Sequence, residues 1–281
     1  MNLYYYFYGT LLLLLFACAS DDDGMEPLPP STPTQRILHL GHTRMTSNAD
    51  FNPALARINY DAYDLLLLGG DLAPNSSIDR PTMDSLEALF QLSNPRTLLA
   101  LGNHDYDDLD LVTEYTGRPA FYTQHEGGIT FLVLDTQDSL SSMVGEQLAL
   151  IRRVTDTITE SSHFVLLHHK LVWMYGNEDL EGQIVATANG QLGDCFHCIN
   201  PNNFYETVYP LLVAVRQRGV EVLCIGGDLG FRTKTFDYLS PEGIRLMGSG
   251  MDLDAADNPA LLFSYENREL TYEFLPLDAL E

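Results

Sequence analysis

The sequence predicts an α/β domain in which helices cover a β-sheet on both faces. Short apolar runs recur along the chain, each with the length of a buried strand. Stretches of helical period separate these runs, and small or polar residues follow most of them. The apolar runs are residues 37–40, 65–68, 97–101, 129–134, 164–167 and 220–225.

Three segments between the apolar runs have the period of an amphipathic helix, namely residues 83–92, 145–159 and 204–216. In the last segment one face carries the apolar side chains of Phe204, Val208, Leu211, Leu212 and Val215. The final part of the chain differs, because turn residues separate shorter runs there. It predicts antiparallel strands at residues 235–238, 245–247, 261–265 and 270–274.

The first 35 residues differ in composition from the rest of the chain. Residues 1–18 have the apolar core of a signal peptide and end in Leu15-Phe16-Ala17-Cys18, which resembles a bacterial lipobox. That resemblance implies a lipid on Cys18. Residues 19–35 are acidic and rich in proline, which is typical of a flexible tether. We therefore expect one folded domain at residues 36–281, exported and attached to a membrane through its N-terminal lipid.

The expected location is the outer membrane or the cell surface, because Ser20-Asp21-Asp22-Asp23 looks like the acidic export tag of some surface lipoproteins. No Lys or Arg precedes the apolar core, although signal segments normally carry one there. A plain cleaved signal is therefore the alternative, and it would give a periplasmic or secreted protein.

The charge balance limits the partners of the domain. Asp and Glu number 39 against 15 Lys and Arg, so the formal net charge is -24. A nucleic acid would be repelled by such a surface, and we expect none as a partner. A phosphorylated small molecule or glycan can still bind where a metal ion or an arginine reverses the local field.

The cysteine pattern predicts a short disulfide. Cys195 and Cys198 lie in the tetrapeptide Cys-Phe-His-Cys, and outside the cytoplasm such a pair is favoured in the oxidised form. A zinc site is the alternative, but it needs four ligands and His197 supplies only one more. Cys224 lies in an apolar run and is predicted to be a buried thiol.

Polar side chains follow five of the predicted strands. Open α/β sheets place their sites at this edge, where strands end. Carboxylate, imidazole and amide groups that converge there suit zinc, iron or manganese. The strand-end segments are Gly41-His42-Thr43-Arg44, Gly69-Gly70-Asp71, Gly102-Asn103-His104-Asp105, His168-His169 and Gly226-Gly227-Asp228.

The order of these segments resembles the calcineurin-like metallophosphoesterase superfamily. The resemblance rests on Gly-Gly-Asp, then Gly-Asn-His-Asp about 30 residues later, then a strand ending in His-His, and it extends from about Ile37 to Met251. It implies a four-layer β-sandwich flanked by helices. It also implies two divalent metal ions that hold a hydroxide for attack on phosphorus.

The resemblance assigns roles to individual residues. His104 would protonate the leaving group, and Asp105 would orient the His104 imidazole. The implied metal ligands are Asp71 as the bridging carboxylate, Asn103 on the second metal and His168 at the later strand end, with His169 outside the ligand set.

Two motifs depart from the family's pattern. The first, Asp-x-His in the family, is His42-Thr43-Arg44 here, and the last, Gly-His-x-His, is Gly226-Gly227-Asp228-Leu229. His42 and Asp228 can still bind a metal, whereas a guanidinium stays protonated and has no lone pair. One metal position therefore keeps Asp71, Asn103, His168 and Asp228, while the other keeps only His42 and the shared Asp71. We expect one firmly bound metal, with Arg44 near the place of the second cation; the alternative is a surface ion pair and a decayed site.

The predicted function is metal-dependent hydrolysis of a phosphomonoester or phosphodiester outside the cytoplasm. A metal-bound hydroxide would attack, and His104 would act as the general acid. One or two divalent transition metals (zinc, manganese or iron) would be required. The alternative is a catalytically weakened surface lipoprotein that binds a phosphorylated glycan or a partner protein. The long connection at residues 173–203 is predicted to be a substrate-facing cap, or otherwise a loop that the disulfide holds for structural reasons.

Overall fold

The computed structural model describes residues 34–280. The predicted signal segment with Cys18, and the tether up to residue 33, lie outside the described residues. The strands, in chain order, are β1 (Gln35–Leu40), β2 (Leu65–Leu68), β3 (Thr97–Leu99), β4 (Tyr122–Glu126), β5 (Ile129–Val133), β6 (His163–His168), β7 (Glu221–Gly226), β8 (Thr235–Leu239), β9 (Ile244–Ser249), β10 (Pro259–Glu266) and β11 (Glu269–Pro276). The α-helices are α1 (Arg80–Phe90), α2 (Leu109–Thr116), α3 (Gly145–Thr157), α4 (Ile184–Thr187) and α5 (Tyr209–Gln217).

The strands form two sheets. The first sheet has five strands in the order β11-β10-β1-β2-β3, and the second has six in the order β4-β5-β6-β7-β9-β8. The predicted strands β1, β2 and β3 are parallel, as are β5, β6 and β7. Their carboxyl ends therefore point to one edge of each sheet, and the predicted polar segments follow those ends.

The core consists of three apolar layers. One layer lies between the sheets and includes Leu67 and Val165. A second packs the outer face of the first sheet against α1 and α2, for example through Phe90. The third packs the outer face of the second sheet against α3 and α5, for example through Phe164 and Leu212. The order helix, sheet, sheet, helix confirms the predicted four-layer β-sandwich flanked by helices.

Three of these strands and α-helices were not predicted from the sequence pattern: β4, α2 and the four-residue α4 within the connection at residues 173–203. β4 alternates between half-buried and exposed residues and has no apolar run, because it is an edge strand paired only with β5. α2 has eight residues, too few for a clear helical period. Its ends are nevertheless marked, since the Asp108 side chain accepts the Leu111 N–H at the start and Gly117 is left-handed at the end.

The C-terminal part differs partly from the prediction. β8 pairs with β9, and β10 with β11, in the antiparallel sense expected. β9, however, also pairs with β7 in the parallel sense, so it is an interior strand of the second sheet. The helix predicted at residues 204–216 begins with a π-helical turn, Phe204–Val208, before α5. Pro210 lies in the first turn of α5 and lacks an N–H group, which explains the irregular start.

No helix among residues 34–280 is long and apolar enough to cross a lipid bilayer.

Candidate active site

The strand ends of the two sheets approach each other closely at the polar edge. A Cβ atom added to Gly227, after β7, would lie 2.0 Å from the carbonyl oxygen of Gly69, after β2. Only glycine permits such an approach. The loops that follow then turn sharply, because His42 and Asp71 both adopt left-handed backbone conformations, with φ of 51° and 55°. Such conformations cost about 1–3 kcal/mol each and are enriched at functional sites.

Asp71 is the centre of the site. Its Oδ1 accepts the backbone N–H of His104 at 2.9 Å and lies 3.6 Å from His169 Nε2. Its Oδ2 lies 3.7 Å from His42 Nε2, 3.8 Å from Arg44 Nε and 4.0 Å from His104 Nε2. Burial alone would raise the pKa of Asp71, but the imidazoles of His169, His42 and His104 hold it below its usual value. Asp71 is therefore a carboxylate that positively charged or polarised groups surround.

Arg44 and His42 form one side of the site. The His42 Nδ1 atom is 2.9 Å from the carbonyl oxygen of Met251, so Nδ1 carries the proton and donates it. Nε2 then has a free lone pair, which accepts the Nε–H of Arg44 at 3.1 Å. Burial lowers the pKa of His42 to about 4, which agrees with a neutral ring. The guanidinium also packs over the Phe231 ring at 5.1 Å, so its position beside Asp71 is fixed from two sides.

His169 forms the other side. Its Nδ1 lies 2.7 Å from the carbonyl oxygen of Gly69. Its Nε2 is buried and has no hydrogen-bond partner among residues 34–280; it lies 3.6 Å from Asp71 Oδ1 and 3.9 Å from Asp228 Oδ1. Burial opposes a charge on this ring, yet the carboxylates of Asp71 and Asp228 raise the pKa of His169. Burial also raises the pKa of Asp228. The carboxylates of Asp71 and Asp228 therefore favour a positive charge at Nε2 of His169, which lies between them.

His168 was predicted to be the metal ligand of this strand, and the structure places His169 beside Asp71 instead. Side chains alternate along β6, so Val165, Leu167 and His169 lie on the face towards the first sheet. His168 lies on the opposite face, with its Nδ1 2.8 Å from the carbonyl oxygen of Lys170. The sequence does not show which face each side chain takes, because all residues of β6 are buried and the apolar run has no period of two.

Asp105 also has a role different from the predicted one. Its carboxylate accepts the N–H groups of Asp71 at 2.7 Å, Leu72 at 3.0 Å and Gly102 at 2.9 Å, and the hydroxyl of Ser76. These contacts hold the backbone that carries Asp71. They leave no oxygen for the His104 imidazole, so the expectation that Asp105 orients it is wrong.

The carbonyl of Pro74 orients His104 in place of Asp105. The His104 Nδ1 lies 2.6 Å from that oxygen and donates to it, so Nε2 faces Asp71. The His104 side chain is 30% exposed, so an external molecule can reach it. Asn103, in the same 3₁₀ turn, is half-buried, and within the described chain its amide group has no hydrogen-bond partner. It stays a candidate ligand at the rim.

Two pairs of donor atoms near His169 have nearly the spacing of ligands to a divalent metal ion, although Asp71, His169 and Asp228 do not place three such atoms within 4.8 Å of one another; an ion held by all three would draw a carboxylate inwards. Two ligand atoms that each lie about 2.0–2.2 Å from an ion are about 3–3.6 Å apart. The separation of 3.6 Å between His169 Nε2 and Asp71 Oδ1, and that of 3.9 Å to Asp228 Oδ1, are too long for hydrogen bonds and close to that spacing. Because Nδ1 donates to the Gly69 carbonyl, the neutral ring has its lone pair on Nε2, and a metal ion would replace the proton that the two carboxylates favour at that atom. A metal ion fits poorly beside His42, because the Nε–H of Arg44 already occupies the lone pair of His42 Nε2 and the guanidinium carries a fixed positive charge.

A loop that carries the disulfide borders the site. Cys195 and Cys198 are joined by the predicted disulfide, with their Cα atoms 5.0 Å apart. Potential metal ligands are the side chains of His, Cys, Asp and Glu. Among the described residues, Cys195, His197 and Cys198 are the one group of three whose ligand atoms all lie within 4.8 Å of one another. The disulfide leaves them no thiolate for zinc. We call residues 189–200 the disulfide loop.

One end of the disulfide loop and one aromatic ring within it lie beside the site. The Asn189 N–H donates to the carbonyl oxygen of Asp228 at 3.1 Å. The Phe196 ring, which is 44% exposed, lies edge-on to Tyr106 at 5.6 Å. The segment predicted to be a cap thus borders both Asp228 and Tyr106.

Two residues near the site were not predicted from the sequence. Lys170 follows His169 and is buried; burial lowers its pKa to about 8, against the opposing effect of the carboxylates of Asp228, Asp135 and Asp71. Its position shortly after the end of the apolar run of β6 was the one sequence feature that could have marked Lys170 as a site residue. Phe231 packs on His42 with ring centroids 4.7 Å apart, and nothing in its sequence context marked it.

No family model and no curated protein matches the chain. A dimetal phosphatase from Danio rerio has a similar structure, with a TM-score of 0.55 and 11% identity over 86% of this chain and 99% of that one. Two further structures are the NAD nucleotidase of Haemophilus influenzae (TM-score 0.43, 13% identity, 86% of this chain and 50% of that one) and a 5'-nucleotidase precursor from Thermus thermophilus (0.44, 14%, 86% and 54%). The chain therefore has the fold of the Danio rerio dimetal phosphatase, which is the metallophosphoesterase-type fold expected from the strand-end motifs.

Proposed function

We propose that the protein is a metal-dependent phosphoesterase that holds one divalent transition metal ion at Asp71, His169 and Asp228 and uses Arg44 in place of a second ion. The observation that carries the proposal is the buried, unpartnered Nε2 of His169 between two carboxylates. Zinc, manganese and iron all suit two carboxylates and a neutral imidazole. Asn103 at the rim would add an amide oxygen to this set.

The metal ion would supply a nucleophile at neutral pH by lowering the pKa of a water molecule to about 7. The residues of the chain would do the rest. Arg44 has a planar fork that can donate two hydrogen bonds to phosphoryl oxygens, and its Nε is already held by His42. His104 would donate a proton from Nε2 to the leaving-group oxygen, since Pro74 keeps its Nδ1 bonded.

The proposed substrate is a phosphorylated small molecule or glycan outside the cytoplasm. The disulfide in the loop beside the site agrees with an oxidising compartment. We propose that residues 1–18 direct export and that a lipid on Cys18 anchors the domain at residues 36–281. The net charge of -24 favours a substrate small enough to be controlled by the local field of the metal ion and Arg44.

The test is a hydrolysis assay with the purified domain after metal removal and reloading. Zn²⁺, Mn²⁺ or Fe²⁺ should each be added before 4-nitrophenyl phosphate and bis(4-nitrophenyl) phosphate are offered. We expect turnover with at least one metal and none without. Asp71→Asn should abolish turnover, and Asp61→Asn, at an exposed carboxylate in the 3₁₀ turn Tyr60–Ala62, should not change it. Absence of turnover with every metal, or full activity of Asp71→Asn, would contradict the proposal.

The second candidate is a surface lipoprotein that binds a phosphorylated glycan or a partner protein without hydrolysis. The contact of Arg44 with His42 favours it, because that contact removes one metal position. Such a protein should bind a phosphorylated sugar with unchanged affinity in His104→Ala and should show no turnover in the assay above.

A further inference from the structure

The side chain of Lys170 lies beside the candidate metal site without being part of its donor set. Only 1% of the residue is exposed. Between residues 34 and 280 its ammonium has one hydrogen-bond partner, Oδ1 of Asn200 at 2.9 Å. Of its three N–H donors, one is used by Asn200, and the nitrogen also lies 5.8 Å from the centre of the Phe196 ring. Lys170 directly follows His169, and its charge acts on the carboxylate of Asp228.

Asn200 links that ammonium to the disulfide loop. Its Oδ1 also accepts the hydroxyl of Ser141 at 2.9 Å. Its Nδ2 donates to the carbonyl oxygens of Cys195 at 2.8 Å and Gly193 at 3.1 Å. Both lone pairs and both N–H groups of the amide are then in use. The ammonium is therefore one of the four partners that hold this buried amide, and the amide in turn holds two carbonyl groups of the loop.

The other end of the disulfide loop holds Asp228. The Gly190 N–H lies 3.4 Å from Asp228 Oδ2, and the neighbouring Asn189 N–H bonds the Asp228 carbonyl. Asp228 Oδ1 is then the oxygen that faces His169. A Cβ atom on Gly190 would lie 2.6 Å from the His197 carbonyl oxygen, so the loop packs tightly at this point.

We propose that Lys170 is a positioning residue of the metal site, which acts through Asn200 and the disulfide loop to hold the Asp228 carboxylate towards His169. The inference rests on the proposed function, because Asp228 must be a ligand for its orientation to matter. Partners outside the ligand set of a metal site commonly change metal affinity 10–100-fold when removed. Lys170 acts through an intermediate residue, so the lower end of that range is expected.

The experiment measures the dissociation constant for Mn²⁺ alone, by competition with a chelating dye, in the full domain. Lys170→Met removes the ammonium and keeps the apolar stem. Asn200→Asp keeps the acceptors for Lys170 and removes the two donors to the loop. Each should weaken Mn²⁺ binding by about 10-fold. The double variant should be no weaker than either single one, because both break the same connection. Lys234→Met, which removes a lysine paired with Asp257, should leave the affinity unchanged.

A second measurement separates positioning from general stability. Amide hydrogen exchange should become faster in the disulfide loop of both variants and stay unchanged in β6 and β7. Lys170→Arg, which keeps a charged donor, should recover at least part of the affinity. If Mn²⁺ binds Lys170→Met or Asn200→Asp as tightly as wild type, this inference is overturned and the proposed function stands. If wild type binds neither Mn²⁺ nor Zn²⁺, both are overturned.

Discussion

Arg44 donates its Nε–H to Nε2 of His42 over 3.1 Å and at the same time lies 3.8 Å from Asp71 Oδ2. A cation held by an imidazole and a carboxylate is the usual arrangement of a metal ion, and here a guanidinium takes that place. The charge of the guanidinium is permanent. A second metal ion beside Asp71 would therefore meet repulsion.

Arg44→Ala should weaken the binding of phosphate or vanadate. The side chain is 21% exposed, and a charge-assisted hydrogen bond to an oxyanion contributes about 1.5–3 kcal/mol. Calorimetric titration with vanadate would measure the loss. Arg152→Ala, an exposed arginine on α3, is the matched control. Equal affinities in Arg44→Ala and wild type would mean that Arg44 does not meet the phosphoryl group.

His104→Ala should reduce turnover by about 10²–10⁴ for esters with poor leaving groups, the usual contribution of general acid catalysis. Activated aryl esters need little protonation of their leaving group and should lose less. The comparison of alkyl and nitrophenyl phosphates under single-turnover conditions tests this. The same loss on both substrates would assign His104 a structural role.

His169→Gln should lower metal affinity by more than about 100-fold, because it removes a proposed ligand rather than an outer partner. His168→Gln is its neighbour control, since that ring lies on the other face of β6. Metal affinity of the two variants would be compared at equal folded fraction. Greater metal loss in His168→Gln would restore the original ligand prediction.

These two histidines show where sequence reasoning reached its limit. The strand ends and their polar segments could be located, because apolar runs, Gly-Gly doublets and Gly-Asn-His-Asp are local signals. The face of β6 could not be assigned, because all of its residues are buried and the pattern has no visible alternation. A ligand at residue 168 and one at residue 169 are then equally compatible with the sequence.

Asp105 illustrates a second limit. The family resemblance implied that Asp105 orients the His104 imidazole, but in a 3₁₀ turn neighbouring side chains point in different directions. The partners of Asp105 come from residues 71, 72, 76 and 102, which no local pattern connects. No local pattern connects Lys170 with Asn200 either, because the two residues come into contact only in the folded chain.

Cys18→Ser tests the proposed anchor. If Cys18 is lipidated, this variant should leave the membrane fraction or accumulate as an unprocessed precursor. Fractionation and mass spectrometry of the N-terminus would detect either result. Cys224→Ser, at a buried thiol within β7, controls for the loss of a cysteine. Unchanged processing and membrane association of Cys18→Ser would leave the plain signal peptide as the explanation.

Metal stoichiometry tests the central claim most directly. The wild-type domain, saturated with Mn²⁺ or Zn²⁺ and freed from loosely bound ions, would be analysed by plasma mass spectrometry. We predict about one metal ion per chain, because Arg44 excludes the second by charge. Arg44→His would replace that charge with a neutral ligand, and its metal content should rise towards two. Two tightly held ions in wild type, or none, would contradict the account.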